Sequence, residues 1–319
     1  MKKHISYLLL FIATVIWGFA FVAQKAAVIL PAFTVGALRS GFAVLFLIFL
    51  IPLTDRLAKN GRGMINERHL PDINRAELIG GGVLGVILSV ATALQQTGLE
   101  YTDAGKAAFI TALYVVIVPI IAAILGKRPG ITVIISVPIS VIGFYLLCIK
   151  SGMVINSSDL LVLLCAFVFA CHITAVDRLS GGCDGVRMSL VQFAVSFVIN
   201  TVVALIFEGL PDADSIFSTL PSLLFLGIGS SGIAYTLQIL GQKDTDPAVA
   251  SIILSLESVF GVIGGAMILG EKMTEREYIG CAMVFIAVLI AQIDPENLKA
   301  WLKIRKKDNN SLHFYTKRG

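Results

Sequence analysis

The chain has 319 residues, of which 56% are hydrophobic and only 14% are charged, and its mean hydropathy is +0.87. Soluble domains carry roughly 25% charged residues, so this composition excludes an ordinary soluble protein and indicates a multispanning membrane protein. The net charge of +4 means little as a total, because what matters is the side of the membrane on which each Lys and Arg lies. None of the five cysteines forms a Cys-x-x-Cys pair, so we expect no zinc site, no cofactor and no disulfide framework.

Apolar stretches long enough to cross a bilayer follow one another along the chain. The first, at 5–24, is free of charged residues and would cover about 30 Å at about 1.5 Å per residue. Its length favours a retained helix over a cleaved signal peptide. Further spans are predicted at 34–52, 77–96, 104–125, 131–149, 159–177, 187–207, 219–240, 247–269 and 277–293. The expected fold is therefore an all-α membrane protein with ten transmembrane helices.

Two segments of the chain, 94–125 and 237–269, resemble each other. Eight residues of the first recur in the second at a constant offset of 143, namely Leu94, Gln95, Gly98, Thr102, Asp103, Ala107, Ile110 and Leu113 as Leu237, Gln238, Gly241, Thr245, Asp246, Ala250, Ile253 and Leu256. We interpret this similarity as an internal duplication. It predicts a first five-helix repeat at 1–150, a second at 151–293 and a basic tail at 294–319.

The basic residues predict the orientation of these repeats. If the N-terminus is cytoplasmic, most Lys and Arg residues fall in cytoplasmic segments, above all in the loop 53–76 and in the tail 294–319. Both termini are therefore predicted to be cytoplasmic. Because each repeat has an odd number of helices, the second must be inserted upside down relative to the first. Inverted repeats let two halves rock about a shared midplane site, which is the architecture of a secondary transporter.

Several short motifs occur in a fixed order along the chain: Trp17-Gly18, Leu38-Arg39, Leu113-Tyr114 with Pro119, Leu256-Glu257-Ser258-Val259-Phe260 and Leu269-Gly270-Glu271-Lys272. From about residue 5 to 293 this set resembles the EamA family of the drug/metabolite transporter superfamily. The usual Leu-Glu-Pro of that family is Leu-Glu-Ser here, with Ser258 in place of Pro. The resemblance implies a ten-helix carrier of small polar metabolites, often an exporter of amino acids or related compounds, with a cavity between its halves. We expect a multi-pass protein of the bacterial plasma (inner) membrane.

Residues near the middle of the predicted spans are candidates for the transport site. Counted from the helix starts, Trp17, Tyr114, His172, Asn200 and Glu257 all fall near mid-bilayer. A carboxylate at that depth costs several kcal/mol if it faces lipid. Glu257 is therefore predicted to line the cavity, where it would bind the amine of the substrate or exchange a proton with it. The alternative is a structural carboxylate that is hydrogen-bonded to neighbouring helices.

The other midplane candidates each have two interpretations. His172 is either a proton relay or a packing histidine. Trp17 and Tyr114 either stack on the ligand or hydrogen-bond to it, or fill space between helices. Arg39 is predicted to extend its guanidinium toward water from the outer end of its helix, as an anchor. Attraction of an anionic substrate is the alternative role for Arg39.

Polar residues are also predicted at the ends of the third and eighth helices. Gln95, Gln96, Gln238 and Tyr235 would form a gate or vestibule there, or simply bridge helices. The predicted substrate-binding residues are therefore Trp17, Gln95, Tyr114, His172, Tyr235, Gln238 and Glu257.

Three classes of function remain open, and a secondary transporter working by alternating access is favoured, with export as the expected direction. A membrane enzyme would need a reactive set of side chains in the loops, and a scaffold would need an extramembrane surface larger than the loop 53–76. A broad-specificity efflux carrier for drugs or lipophilic cations would be favoured by several acids in the cavity, whereas one midplane acid favours a zwitterionic or neutral metabolite. The partners of the protein are a separate prediction. They are expected to be this metabolite and the lipid bilayer, with protons as a candidate coupling ion. No nucleic acid is expected, because orientation and anionic lipid explain the basic tail. Ten helices suffice for a monomer, and a dimer is also compatible.

Overall fold

The structure is a computed structural model that describes residues 2–59, 73–102, 104–149, 156–269 and 273–293, and within these ranges it contains helices and no strand. The all-α prediction is confirmed. The helices are α1 Lys2–Ala26, α2 Ala32–Lys59, α3 Arg75–Tyr101, α4 Ala104–Ala112, α5 Tyr114–Ile124, α6 Ile131–Cys148, α7 Ser157–Leu179, α8 Gly185–Phe207, α9 Ala213–Leu224, the π-helical segment Phe225–Tyr235, α10 Thr236–Gln242, α11 Pro247–Leu254, α12 Glu257–Leu269 and α13 Glu275–Ala291.

Two of the sequence predictions fall largely outside these residues. The predicted loop 53–76 is shortened from both sides, because α2 continues to Lys59 and α3 begins at Arg75, and its centre lies outside the described residues. The predicted tail 294–319 lies entirely outside them. The same holds for Asp103 of the duplicated segment and for the motif residues Gly270, Glu271 and Lys272.

Eight helical stretches in the described part of the chain are long and apolar enough to cross a membrane. They are Lys3–Ala26, Ala32–Arg56, Arg75–Tyr101, Lys106–Ile124, Ser157–Leu179, Gly185–Phe207, Ala213–Gln242 and Pro247–Ile268, and a shorter apolar helix covers Ile131–Leu147. Many large apolar side chains on these helices are exposed, including Phe49, Ile124 and Phe207. Such a surface suits the hydrocarbon core of a bilayer. The protein is an integral, multi-pass membrane protein.

Two of these stretches are broken near their middle. Leu113 separates α4 from α5, and Ser255 and Leu256 separate α11 from α12. At both breaks a backbone N–H bonds to the carbonyl three residues back, from Leu113 to Ile110 at 3.2 Å and from Leu256 to Ile253 at 3.1 Å. This tighter turn interrupts the α-helical hydrogen-bond pattern. The two stretches correspond to the predicted spans 104–125 and 247–269, and each of them consists of two shorter helices.

The second break forms although Ser258 stands where the family resemblance would place a proline. The Ser255 hydroxyl donates to the carbonyl oxygen of Ile252 at 2.7 Å, and such bonds back to the preceding turn tend to bend helices. The Ser258 hydroxyl donates to the carbonyl oxygen of Ala108 in α4 at 3.1 Å. Serine chemistry thus both bends the chain before Glu257 and connects the two broken helices to each other.

The predicted span 219–240 is also irregular, because it contains the π-helical segment between α9 and α10. Glycines of this segment allow a close approach to α2. A Cβ atom at Gly227 would lie 3.0 Å from the carbonyl oxygen of Arg39, and one at Gly232 would lie 2.7 Å from the ring of Phe46. Wide turns of this kind are frequent at functional sites, and this one directs the side chains of Ser230 and Ser231 toward α2.

The helices pack against one another in pairs and groups around the middle of the bundle. The pair α2 and α8 is in contact along its length, and α3 packs against both α7 and α8. On the other side of the bundle, α1 packs against α12, α10 and the π-helical segment. The helices α6 and α13 form a further pair. The largest buried apolar cluster includes Leu10, Tyr114, Phe144, Ile253 and Val259.

Carboxylates fix both ends of the α2–α8 pair. At one end, Asp55 accepts two hydrogen bonds from Nη2 of Arg187, at 3.1 and 2.9 Å, and Asp184 accepts one from Nη1 at 3.2 Å. At the other end, Oε2 of Glu208 accepts hydrogen bonds from the backbone N and the hydroxyl of Thr34, both at 2.7 Å. Asp55 and Glu208 therefore each meet the first turn of the partner helix, where anions are favoured, while Asp184 caps α8 itself.

Two adjacent glycines of α3 allow a matched test of this packing. A Cβ atom at Gly81 would lie 2.6 Å from the Cβ atom of Val191 and 2.7 Å from the carbonyl oxygen of Met188, whereas one at Gly82 would meet nothing within 4 Å. We expect Gly81→Ala to lower the free energy of unfolding by about 1–3 kcal/mol, since α8 must move away. Gly82→Ala should be neutral or more stable by about 0.5–1 kcal/mol.

Unfolding in detergent micelles by increasing SDS measures both variants against the wild type. Equal stability of the two variants would contradict the close approach of α3 and α8.

Candidate functional site

A cavity lies in the middle of the bundle, and the space in it that no protein atom fills is about 470 Å³, including the part that is open to solvent. Residues of α1, α2, α3, α7 and α10 form its wall, together with the π-helical segment and the two broken helices. The seven residues that the sequence analysis selects for substrate binding all line this cavity: Trp17, Gln95, Tyr114, His172, Tyr235, Gln238 and Glu257. The fold thus brings together side chains from distant parts of the chain. Their role in binding remains a prediction.

Glu257 and Tyr114 face each other at the two helix breaks. Each is the first residue after its break, at the start of α12 and α5 respectively. The Tyr114 hydroxyl donates to Oε1 of Glu257 at 3.1 Å. Glu257 is only 6% exposed, and no Lys or Arg among the described residues lies within ion-pairing distance of it. A buried acid whose partner is a neutral hydroxyl is available for a cationic group or a proton in the cavity.

Aromatic rings form one wall of the cavity around Tyr235. The ring of Trp17 lies 4.6 Å from that of Tyr235, centroid to centroid, and the ring of His172 meets it edge-on at 5.8 Å. The Trp17 indole N–H donates to the carbonyl oxygen of Ser230 at 3.1 Å, so the indole is held in place. Trp17 and Tyr235 therefore offer a rigid aromatic surface to a ligand.

His172 is fully buried in α7 and connects the cavity to α8. Its Nε2 atom lies 3.0 Å from Oε1 of Gln192, while Nδ1 has no hydrogen-bond partner among the described residues. Because either ring nitrogen can carry the proton, the direction of the bond to Gln192 depends on the tautomer. This geometry is compatible with both predicted roles, the relay and the packing histidine.

The sequence analysis places the glutamines at helix ends. Gln95 and Gln96 lie more than one turn inside α3, which continues to Tyr101, whereas Gln238 lies about one turn from the end of α10 at Gln242. Gln95 lines the cavity, where its Nε2 atom lies 3.4 Å from the Thr111 hydroxyl. Gln96, one residue on, instead donates to the carbonyl oxygen of Gln24 at 3.2 Å and bridges α3 and α1. Gln96 therefore bridges two helices, while a gating role for Gln95 stays a prediction.

Arg39 is the main residue that the sequence reasoning misplaces. It is 5% exposed and lines the cavity rather than extending toward water. Its Nε atom donates to the Ser231 hydroxyl at 3.0 Å and Nη2 donates to the Ser230 hydroxyl at 3.1 Å. Since α2 begins at Ala32, Arg39 lies about two turns inside the helix. The adjacent serines inside an apolar stretch were the signal that could have located its partners.

Asn200, the remaining midplane candidate, does not line the cavity. Its Nδ2 atom donates to the carbonyl oxygen and the hydroxyl of Ser196, at 2.8 and 3.1 Å. A Cβ atom at Gly36 would lie 2.6 Å from its Oδ1 atom, so Asn200 packs tightly against α2. It is a structural residue of the α2–α8 contact.

Comparison with known proteins gives one family. The sequence pattern of the EamA-like transporter family matches residues 4–149 and, a second time, 156–292. An uncharacterised transporter of Archaeoglobus fulgidus is 28% identical over 225 residues, which cover 70% of this chain and 72% of that protein. The uncharacterised transporter YoaV of Bacillus subtilis is 23% identical over 286 residues, which cover 87% and 93% of the two chains. A crystal structure with 16% identity superposes with a TM-score of 0.71 over 92% of this chain and 98% of the other, which is a likeness of fold alone.

Proposed function

Because the chain belongs to the EamA-like transporter family, we propose that it is a secondary transporter that exports small polar metabolites, such as amino acids or related compounds, by alternating access. The observation that carries this proposal is the cavity in the middle of the bundle, with the buried Glu257 in its wall. A buried ionisable residue inside a membrane protein usually belongs to a substrate or ion pathway.

The proposal includes ten spans in two inverted repeats, at 1–150 and 151–293. Tyr114 and Glu257 support it, because they occupy the same position of the duplicated sequence, start the second half of a broken helix in each repeat and hydrogen-bond to each other. Two equivalent residues meet in this way when a two-fold pseudo-axis passes between them.

The ends of the α2–α8 pair support the same symmetry. At a constant offset of 153, Asp55 corresponds to Glu208, and Thr34 corresponds to Arg187. Asp55 bonds to Arg187, and Glu208 bonds to Thr34, so the exchange of the two halves reproduces both contacts. The packing of α3 against α7 likewise has its equivalent in the packing of α10 and the π-helical segment against α1.

Alternating access follows from this arrangement. Rocking of one half against the other would expose the cavity first to one side and then to the other. The two breaks lie beside the cavity, where Tyr114 and Glu257 begin their helices. Binding of a substrate cation or of a proton by Glu257 would therefore act directly on the contact between the halves. We propose protons as the coupling ion and cytoplasmic placement of both termini, which reporter fusions after Lys3 and Arg305 would test.

The cavity does not favour the alternative of an efflux carrier for lipophilic cations. Such a carrier would be expected to have several acids in its wall, whereas Glu257 is the one acid among the described lining residues, and Arg39 places a positive charge in the same wall. A positive charge in the site would repel a substrate that carries only positive charge. A polar metabolite with both kinds of group is favoured instead.

Metabolite profiling tests the proposed function. Cells with and without the gene are compared for compounds that accumulate inside or in the medium, and each changed compound is then tested for counterflow in proteoliposomes of the purified protein. We expect at least one small polar metabolite to show saturable counterflow that empty liposomes lack. If no changed compound is transported, the carrier proposal is refuted.

A further inference from the structure

The guanidinium of Arg39 is a buried cation without a buried anion beside it. Its two hydrogen-bond partners, Ser230 and Ser231, are neutral hydroxyls. No carboxylate among the residues that the structure describes lies within ion-pairing distance of it. Arginine stays charged in proteins, and a buried charge without a counter-charge is strongly unfavourable. An anionic ligand would supply the missing counter-charge.

The place of that anion is the cavity. Arg39 lines it, and within the described part of the chain no group accepts a hydrogen bond from its Nη1 atom. The planar guanidinium has five N–H donors in a fork that matches the two oxygens of a carboxylate. The two serines hold the fork on α2 and leave donors for a ligand. A site of this kind is prepared for the carboxylate of a small molecule.

Glu257 is the acidic residue of the same cavity wall. It and Arg39 line the same cavity, yet they do not form an ion pair with each other. Each charge is held by hydroxyl groups instead, Glu257 by Tyr114 and Arg39 by the serines. A ligand that carries both an amine and a carboxylate would neutralise both charges at once.

We propose that Arg39 binds the carboxylate of the substrate, while Glu257 binds its amine, so that the transported compounds are zwitterions with both groups. This inference rests on the proposed function as a transporter. It assigns to Arg39 the discrimination between an amino acid and the amine that lacks its carboxylate.

The test uses sets of probes with the same side chain. L-alanine, L-serine, L-leucine and L-phenylalanine are each compared with the amine that lacks the carboxylate and with the acid that lacks the amine, in counterflow with proteoliposomes of the full chain. We expect the wild type to prefer amino acids over amines by at least about tenfold, the effect of one hydrogen bond to a charged group. Arg39→Gln should lose this preference because amino-acid transport falls, and Arg39→Lys should keep part of it.

Ser231→Ala is the matched control. It removes one of the two contacts between Arg39 and the π-helical segment but retains the cation, so the preference for amino acids over amines should persist. If Arg39 only joined the two helices, Ser231→Ala and Arg39→Gln would both lower the transport of all probes in the same proportion. That outcome would overturn the proposal, as would equal transport of amines and amino acids by the wild type.

A second measurement does not depend on the folding of the variants. Acetate, propionate and 4-methylpentanoate should inhibit wild-type counterflow competitively, whereas the corresponding amides should not. Equal inhibition by acids and amides would refute the carboxylate subsite. The transport proposal itself fails if the wild type transports neither these probes nor any metabolite found by profiling. That result would refute the carboxylate subsite as well. Transport that is indifferent to the carboxylate refutes the subsite alone.

Discussion

Glu257→Gln is expected to lower the rate of transport by at least about tenfold, because an amide cannot replace a buried carboxylate that binds a cationic group. The substitution keeps the shape of the side chain, and the Tyr114 hydroxyl, which donates to Oε1 of Glu257 at 3.1 Å, can also donate to an amide oxygen. The fold should therefore survive while the negative pole of the cavity is lost. Counterflow in proteoliposomes with a substrate identified by profiling measures the effect.

The pH dependence of transport should change with the same substitution. Binding of a substrate cation needs the ionised form of Glu257, so wild-type transport should fall as the pH is lowered through the range in which this carboxyl takes up a proton. The amide does not take up a proton in this range, so transport by Glu257→Gln should not show this fall at acidic pH. Arg39, the other charged residue in the described lining, stays protonated throughout and does not contribute to the change. His172 also lines the cavity but is present in both proteins, so a pH dependence that the substitution removes belongs to Glu257.

Asp214→Asn is the control for this prediction. It makes the same change of charge at an exposed residue in the first turn of α9, which does not line the cavity. Its transport rate and pH profile should match those of the wild type. If Glu257→Gln retained the wild-type rate and the fall at acidic pH, Glu257 would be a structural carboxylate, and the assignment of the substrate amine to it would be wrong.

The sequence predicts the helices well because hydropathy is a property of each stretch by itself. The helices follow from long apolar runs, and the predicted depth of Glu257 follows from counting residues along one run. The breaks at Leu113 and at Ser255 are different. They depend on a few backbone hydrogen bonds to the carbonyl three residues back, which an apolar composition neither requires nor forbids.

The position of Arg39 shows the limit of the same reasoning. Counting along α2 gives the depth of a residue but not the direction in which its side chain points. The guanidinium turns inward because the π-helical segment approaches α2 through Gly227 and brings Ser230 and Ser231 within hydrogen-bonding distance. That contact joins residues about 190 positions apart, so no local pattern could predict it.

Arg187→Met should produce the largest loss of stability among single substitutions of charged residues. Arg187 is fully buried, and its guanidinium bonds to both Asp55 and Asp184. Methionine of similar length would leave the two buried carboxylates close to each other without a cation. Removal of one partner from a buried ion pair costs about 3–5 kcal/mol. Unfolding of the purified protein by SDS in detergent micelles measures this free energy.

Lys127→Met provides the comparison, because it removes a cation from an ion pair that is open to solvent. Nζ of Lys127 lies 2.6 Å from Oδ2 of Asp177, and the lysine side chain is 48% exposed. Exposed pairs contribute about 0–1 kcal/mol, so this variant should be nearly as stable as the wild type. Both variants lose one positive charge, so the difference between their losses in the free energy of unfolding measures the effect of burying the ion pair. Equal losses would mean that water reaches the Arg187 cluster and that the α2–α8 pair is held by its apolar contacts, with Asp55 no more than a surface carboxylate.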